Sequence, residues 1–302
     1  MLGGVRNHPR LAGIVCSISA VGLGLVYMAL AGAPERHLLV NSAAIPIGLL
    51  LFAAVDQLPD RMRGAAVAMP AAFALLATAL FGISAEGATR WANIGPILLQ
   101  PSLIVLPIMA VALVNTRGPI ALASIVIAAI ALALQPDRAM AGALAASVAA
   151  LAAIGPDRWS LLGLAAAVIA FAVTLVRPDN LPAMPYVDGI LYSAFQVHPL
   201  AGLAVVGGAG LLMVPAIVGW RRRDQRPLAI MLGTVWSAII AAAALGNYPT
   251  PLVGYGGSAV IGYLLSLSLF PKARFAETLP VAPQRKERTG DGDGASLAVG
   301  LS

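Results

Sequence analysis

Long apolar stretches separated by short polar segments run along most of this chain. Most of the stretches have about 17 to 23 residues, the length that a helix needs to cross about 30 Å of hydrocarbon. The strands of a membrane barrel would alternate apolar and polar residues in short segments instead. The pattern therefore predicts an all-α, polytopic membrane protein of about ten transmembrane helices. The predicted spans are residues 11–33, 38–55, 64–84, 98–115, 118–135, 139–155, 160–176, 190–220, 227–246 and 257–270.

Composition agrees with this class of protein. Of the 302 residues, 59% are hydrophobic and 11% are charged, whereas soluble domains carry about 25% charged residues. We therefore expect one transmembrane helical domain over residues 1–270. Residues 271–302 are rich in Pro, Gly, Ala and charges of both signs, so they are predicted to form a disordered cytoplasmic tail.

The basic residues predict the orientation in the membrane. With the N-terminus in the cytoplasm, ten spans return the C-terminus to the same side and most basic residues flank the spans there, as the positive-inside rule requires. The net charge of +6 then reflects topology and contact with anionic headgroups rather than nucleic-acid binding. The inner residues are Arg6, Arg10, Arg61, Arg63, Arg117, Arg158, Arg221, Arg222, Arg223, Arg226, Lys272 and Arg274, and the outer ones are Arg36, Arg90, Arg138 and Arg177.

Ionisable residues are nearly missing from the middle of the predicted spans. Ion-coupled transporters usually keep such a residue at mid-membrane, so that class is disfavoured. His198 is the exception in the eighth stretch, and because Pro199 follows it, a kink is predicted there. The single Cys16 excludes an internal disulfide and a cysteine-based metal site.

Four polar segments carry a family resemblance. Residues 87–102 read GATRWANIGPILLQPS, which is typical of a structured loop at a membrane surface, and QPD follows at 135–137. The other two are LPAMPYVDGIL at 181–191 and PTPLVGYGGS at 249–258. In this order the segments resemble motifs of the SEDS family of cell shape, elongation, division and sporulation membrane proteins.

The resemblance implies a peptidoglycan glycosyltransferase of the bacterial inner membrane that polymerises lipid II. An outer-loop aspartate of the family acts as the catalytic carboxylate or activates the acceptor hydroxyl, and Asp188 occupies that position. A partly desolvated carboxylate at a water–lipid boundary suits this role because desolvation raises its basicity. The alternative is that Asp188 only caps the helix that begins after Gly189.

The resemblance also implies substrate-binding residues in the outer loops. Arg90 would face the pyrophosphate of the lipid carrier, since a guanidinium can pair two phosphate oxygens; alternatively it is an interfacial anchor beside Trp91. The other implied substrate-binding residues are Gln100, Asp137, Tyr255 and Ser258.

The chain also departs from the family pattern. Leu103 and Leu106 stand where the family has a Glu and a Lys after the Gln-Pro-Ser segment, and Tyr186 and Val187 replace the His-Thr before the family's aspartate. The loss of a Glu-Lys pair removes polar groups from the expected cavity wall. Enzyme activity is therefore left open.

Three functions remain at this point. The chain is a divergent glycosyltransferase, a catalytically degenerate homologue that binds lipid-linked precursor or scaffolds a partner transpeptidase, or a flippase for that precursor. The expected partners are the lipid-linked precursor, membrane lipids and a single-span transpeptidase, without nucleic acid. No cofactor is expected, and a divalent cation is left open. Convergence of Asp188 and Arg90 on one outward-facing cavity would favour the enzyme.

Overall fold

The computed structural model describes residues 8–59, 62–95, 97–179 and 181–272, and the first compact unit runs to Pro271. Most of the predicted tail, together with Arg6, Arg61 and Arg274 of the charge pattern, lies outside the described residues. The helices are α1 Pro9–Leu30, α2 Glu35–Asp56, α3 Ala65–Phe81, α4 Pro101–Ala112, α5 Gly118–Leu134, α6 Arg138–Ile154, α7 Arg158–Val176, α8 Ile190–Val197, α9 Pro199–Leu211, α10 Val214–Trp220, α11 Arg226–Leu245 and α12 Gly257–Leu267.

These helices confirm the predicted class of helical polytopic membrane protein. Five are long and apolar enough to cross a membrane, when α9 and α10 are taken together, and five further apolar helices are shorter. The exact number of crossings stays a prediction. The five long segments are Pro9–Leu30, Glu35–Asp56, Arg158–Val176, Pro199–Trp220 and Arg226–Leu245.

Two predicted spans differ from the structure. The fourth begins later than residue 98, because residues 97–99 form a strand and Gln100 precedes α4 in an extended conformation. The eighth is not one helix: it breaks at His198, whose Nδ1 accepts a hydrogen bond from the Leu200 backbone N–H at 3.1 Å, and again before Val214. The predicted kink at Pro199 is confirmed, whereas the second break was not predicted.

A small antiparallel sheet lies between α3 and α4. It consists of β1 Ile83–Ala85, β2 Ala88–Ile94 and β3 Ile97–Leu99, in the order β1-β2-β3. Gly87, with φ +79°, turns β1 into β2 in the left-handed region that glycine tolerates. The sheet holds the Arg90 backbone in β2 against the end of the helical bundle.

Helix α12 lies at the centre of the bundle. All residues from 257 to 270 are buried, and α12 packs against α1, α2 and α4. Gly262 makes this close packing with α4 feasible, because a Cβ there would overlap the carbonyl oxygen of Leu103.

The connecting segments meet at two opposite ends. At one end, Asp56 pairs with Arg10 at 2.8 Å and with Arg63 at 3.3 Å, and this is the end predicted to be cytoplasmic. The sheet and the segments around residues 135–138, 177–179, 181–189 and 246–256 meet at the other end, which we call the loop end. These connections thus gather at two ends of the bundle, while the number of crossings and the sidedness of each end stay predictions.

Candidate functional site at the loop end

Arg90 is the buried cation of the loop end. Its side chain is 4% exposed and pairs with Asp179 at 2.9 Å, whose own side chain is 8% exposed. The same guanidinium donates to the carbonyl oxygen of Gln135 at 3.4 Å and to that of Pro136. Arg90 therefore joins β2 to the α5–α6 and α7–α8 connections.

Tyr248 completes this ion pair from the segment after α11. Its hydroxyl donates to Asp179 Oδ2 at 2.8 Å. Burial, followed by the hydrogen bond to the Asp179 carboxylate and its charge, raises the pKa of Tyr248 well above its ordinary value. The phenol therefore stays neutral and remains a donor. We call Arg90, Asp179 and Tyr248 the Arg90 cluster.

A second group of polar residues joins α4, α6 and α12. Asp137 caps α6 by accepting from the Met140 backbone N–H at 3.3 Å. Its other oxygen accepts from Ser102 Oγ at 2.9 Å and from Gln100 Nε2 at 3.3 Å. The Gln100 backbone N–H in turn donates to Ser258 Oγ at 3.0 Å. Three predicted substrate-binding residues, Gln100, Asp137 and Ser258, thus belong to one network that ties helix ends together.

Asp188 lies in a different setting. Its Oδ2 accepts a hydrogen bond from the Met184 backbone N–H at 2.9 Å, four residues back along the chain. The N-cap of α8 is Gly189, with φ +65° and no side-chain hydrogen bond. The alternative in which Asp188 caps this helix is therefore wrong, since its carboxylate points back into the preceding turn.

The other oxygen of Asp188 has no partner. Oδ1 is buried and makes no hydrogen bond within the described part of the chain. Burial raises the pKa of Asp188 and outweighs the hydrogen bond from Met184, which lowers it. An uncompensated carboxylate oxygen of this kind is the arrangement expected of a proton acceptor.

The segment after α11 holds the Asp188 turn in place. The Thr250 and Tyr255 backbone N–H groups donate to the carbonyl oxygens of Val187 at 3.0 Å and Tyr186 at 2.7 Å. Tyr186 has a left-handed backbone, with φ +62°, beside this pairing. Residues 184–188 and 249–256, paired in this way, are called the Asp188 loops.

Asn41 and His37 of α2 brace these loops. Asn41 is fully buried, donates to the Gly254 carbonyl at 2.8 Å and accepts from the Gly256 N–H at 3.0 Å. The His37 ring stacks on Tyr255, with ring centroids 3.8 Å apart. Tyr255, the remaining predicted substrate-binding residue, is thus held between α2 and the Asp188 turn.

The two parts of the loop end line different cavities. Asp188 lines a cavity of about 480 Å³ together with Tyr27, Ser193 and Gln196. Asp179 lines another cavity of about 480 Å³ between α6, α7 and α11, with Arg90 behind it. The structure brings Arg90 and Asp188 to one end of the bundle but into separate clusters, so the convergence that would have favoured the enzyme is not observed.

Leu103 and Leu106, which stand where the family has a Glu and a Lys, lie in the apolar core. Leu103 and Leu106 are 4% and 0% exposed, and Leu103 packs its backbone against α12. Polar side chains there would need partners inside the apolar core. Within the described ranges, no group of three or more His, Cys, Asp or Glu side chains could hold a metal ion; a divalent cation stays a prediction.

Several residues of the site were not predicted from the sequence. They share long sequence separations from their partners: Asp179 lies 89 positions from Arg90, and Asn41 lies 213 positions from Gly254. The one available signal was a polar Asn inside an otherwise apolar span. The missed residues are His37, Asn41, Asp179, Tyr248 and Thr250.

Fold and site together define a polytopic helical membrane protein with a polar loop end. The structure is similar to the rod shape determining protein RodA of Thermus thermophilus, with TM-score 0.56 and 20% sequence identity over 85% of this chain and 93% of RodA. A variant of that RodA with one aspartate replaced by alanine gives the same TM-score and identity, covering 94% of its chain. A chain of a peptidoglycan synthase complex that coordinates polymerization and crosslinking gives TM-score 0.53 and 21% identity, over 85% and 95% of the two chains.

The likeness establishes the fold. The chain has the RodA fold, so the SEDS resemblance predicted from four short motifs is confirmed at the level of architecture. No protein-family profile and no curated protein sequence matches the chain. The activity of the chain therefore has to follow from its own residues.

Proposed function

We propose that this chain is a divergent SEDS-family protein of the bacterial inner membrane that acts in cell wall biogenesis. Two independent lines support the assignment: the RodA fold over 85% of the chain and the order of the motifs at 87–102, 135–137, 181–191 and 249–258. Fold alone does not define an activity, so the chemical role rests on the Asp188 site.

Within this family we propose that Asp188 serves glycosyl transfer between lipid-linked precursors. Two observations carry the proposal: Asp188 lines a cavity of about 480 Å³, and its Oδ1 is buried without a hydrogen-bond partner in the described part of the chain. In the reaction, the acceptor hydroxyl oxygen bonds to the anomeric carbon of the donor sugar. The bond from that carbon to the lipid pyrophosphate breaks, and the hydroxyl proton passes to the Asp188 carboxylate. A raised pKa improves the carboxylate as a base.

A second candidate function is binding without polymerisation. It is favoured by the apolar Leu103 and Leu106 where the family has charges, and by the engagement of Arg90 with Asp179. In that case the cavity beside Asp188 would hold a lipid-linked precursor, and the chain would retain or flip it, or scaffold a partner. Phosphate binding by Arg90 would require the pyrophosphate to displace Asp179.

A single-span transpeptidase is the proposed partner. The support is the likeness to a chain of a peptidoglycan synthase complex that coordinates polymerization and crosslinking. Such a partner would couple the growth of glycan chains to their crosslinking at the membrane surface. Activity is therefore measured with and without a candidate transpeptidase.

The test is lipid II polymerisation by the purified protein, comparing the wild type with Asp188→Asn. Glu86→Gln is the matched control, because Glu86 is exposed in the β1–β2 turn and loses the same charge at the same end. Glycan chains that vanish in Asp188→Asn and persist in Glu86→Gln are the expected result. If folded wild type makes no chains under either condition but retains fluorescent lipid II, the binding function is supported instead.

A further inference from the structure

The cavity beside Asp188 has a wall that combines one carboxylate with uncharged polar and aromatic side chains. Tyr27 of α1, Tyr186 of the preceding turn, and Ser193 and Gln196 of α8 line it together with Asp188. Its volume of about 480 Å³ falls within the range of about 300–1,000 Å³ that is common for ligand sites. Among the described residues that line it there is no Arg, Lys or His. We call it the Asp188 cavity.

The surroundings of Asp188 do not favour a second anion. Burial raises the pKa of its carboxyl and the Met184 backbone hydrogen bond lowers it, and neither influence comes from a charged side chain. Two arginines of the loop end are engaged elsewhere, because Arg90 pairs with Asp179 and Arg138 lines the other cavity. A pyrophosphate beside ionised Asp188 would therefore meet like charge without a counter-ion. The charges at this place favour an uncharged ligand group.

Helix α8 presents two uncharged polar side chains to the cavity. The helix begins directly after Gly189, whose carbonyl oxygen accepts from the Ser193 backbone N–H at 3.1 Å. Ser193 and Gln196 are three residues apart and share one face, while Ile190 and Ala194 are buried. At 1.5 Å per residue, Gln196 lies about 9 Å along the helix axis from Ile190. The cavity therefore offers polar groups at increasing distance from Asp188.

These side chains match the chemistry of a saccharide. The Gln196 amide and the Ser193 hydroxyl can each donate and accept hydrogen bonds without carrying charge. Tyr27 and Tyr186 add aromatic rings, which pack against apolar surface and keep a polar tip. An elongated ligand with hydroxyl and amide groups along its length, and C–H faces between them, can meet all of these groups at once.

We propose that the Asp188 cavity binds the saccharide of the acceptor substrate and that Gln196, together with Ser193, selects it. The pyrophosphate and the lipid chain of the same molecule then lie outside the cavity. This inference rests on the proposed function, since it places the acceptor hydroxyl next to the Asp188 carboxylate that takes its proton. Gln196 determines how tightly the saccharide binds and takes no part in the proton transfer.

The test measures displacement of fluorescent lipid II from the purified full-length protein in detergent. The competitors are unlabelled lipid II and a polyprenyl pyrophosphate without a saccharide. Gln196→Leu removes both hydrogen-bonding groups of the amide, so it is expected to weaken the binding of lipid II about fivefold, the size of one neutral hydrogen bond. The affinity of the saccharide-free competitor is expected to stay unchanged.

Three further variants isolate this contact. Gln57→Leu makes the same change at an exposed position of the opposite end and is expected to leave both affinities unchanged. Ser193→Ala is expected to weaken lipid II alone, by about two- to threefold. Gln196→Glu adds a negative charge to the cavity wall and is expected to leave the saccharide-free competitor unchanged, because its pyrophosphate binds elsewhere. All variants are checked for native thermal unfolding.

Two results would overturn the inference. Unchanged lipid II affinity in Gln196→Leu would show that the saccharide does not contact Gln196. Weaker binding of the saccharide-free competitor in Gln196→Glu would place the pyrophosphate in the Asp188 cavity. Failure of the wild type to retain lipid II is a different result, because it would overturn the proposed function, and this inference with it, before any substitution is made.

Discussion

The Arg90 cluster and the Asp188 loops lie at the same end of the bundle but differ in whether their buried polar groups have partners. In the Arg90 cluster, a buried guanidinium, a carboxylate and a phenol satisfy one another, and two carbonyl oxygens take further guanidinium hydrogens. In the Asp188 loops, the backbone is held firmly by Asn41 while one carboxylate oxygen is left without a partner. Both carboxylates line a cavity, but the Asp179 oxygens are engaged by Arg90 and Tyr248, whereas the unpartnered oxygen of Asp188 keeps its capacity to accept a proton.

Breaking the Arg90 cluster should have the largest effect on stability. Asp179→Ala leaves the Arg90 charge buried without its counter-ion, which costs about 3–5 kcal/mol. The measurement is thermal unfolding in detergent with Glu86→Gln as the exposed control, which should stay within about 0.5 kcal/mol of the wild type. Wild-type stability of Asp179→Ala would refute a structural role for the pair.

Removing the side chain that braces the Asp188 loops should lower the free energy of unfolding by less than Asp179→Ala does. Asn41→Ala leaves the buried Gly254 carbonyl and the half-buried Gly256 N–H without their partner, at about 2 kcal/mol in total. Hydrogen exchange should accelerate at residues 184–188 and 249–256 more than in the Arg90 cluster. Ser42→Ala, an exposed neighbour on the same helix, should leave both regions unchanged; a uniform acceleration throughout would contradict the separation of the two regions.

A smaller effect is expected in the network around Asp137. Ser102→Ala removes the hydrogen bond from Ser102 Oγ to Asp137 Oδ2, which contributes about 1 kcal/mol. A double-mutant cycle with Asp137→Asn should give a coupling energy of about the same size. Additive effects of the two substitutions would mean that this contact does not stabilise the protein.

The smallest expected effect is a pH dependence of the free energy of unfolding, with opposite signs for Asp188 and Asp157. Burial raises the pKa of Asp188, so its ionisation opposes folding, and Asp188→Asn should be more stable than the wild type at pH 7. That difference should close as the pH falls below the ordinary aspartate range, where both forms are neutral. Unfolding curves at several pH values measure it.

Asp157 provides a control because its pKa is shifted in the opposite direction to that of Asp188. The Ser160 backbone N–H lowers the pKa of this helix-capping carboxylate. Its stabilising contribution is present at neutral pH and lost as the pH falls through the lowered pKa. Asp157→Asn should therefore be less stable than the wild type at pH 7, with a gap that closes in acid. The same sign for both variants would contradict the burial of Asp188.

The sequence predicted what depends on local pattern and missed what depends on distant contacts. Apolar length placed the long helices within a few residues, and Pro199 predicted the break at His198. The sheet at 83–99 was not predicted, since two of its strands have three residues each and show no alternation. The partners of Arg90, and the contacts of Asn41 that hold the Asp188 loops, could not be predicted either, because they are set by how distant parts of the chain pack at one end.

The most direct test compares Asp188→Asn with the double variant Arg90→Met, Asp179→Leu in one assay of lipid II retention and polymerisation. Replacing a buried ion pair with apolar residues of similar size is often neutral for stability. Here the Tyr248 hydroxyl and the Gln135 and Pro136 carbonyls also lose their partners, at about 1–3 kcal/mol each, so the double variant should be less stable, and its folded fraction should keep the wild-type function. Asp188→Asn should fold and lose lipid II polymerisation. A folded double variant that no longer retains lipid II, beside an active Asp188→Asn, would contradict these roles and assign the phosphate to Arg90.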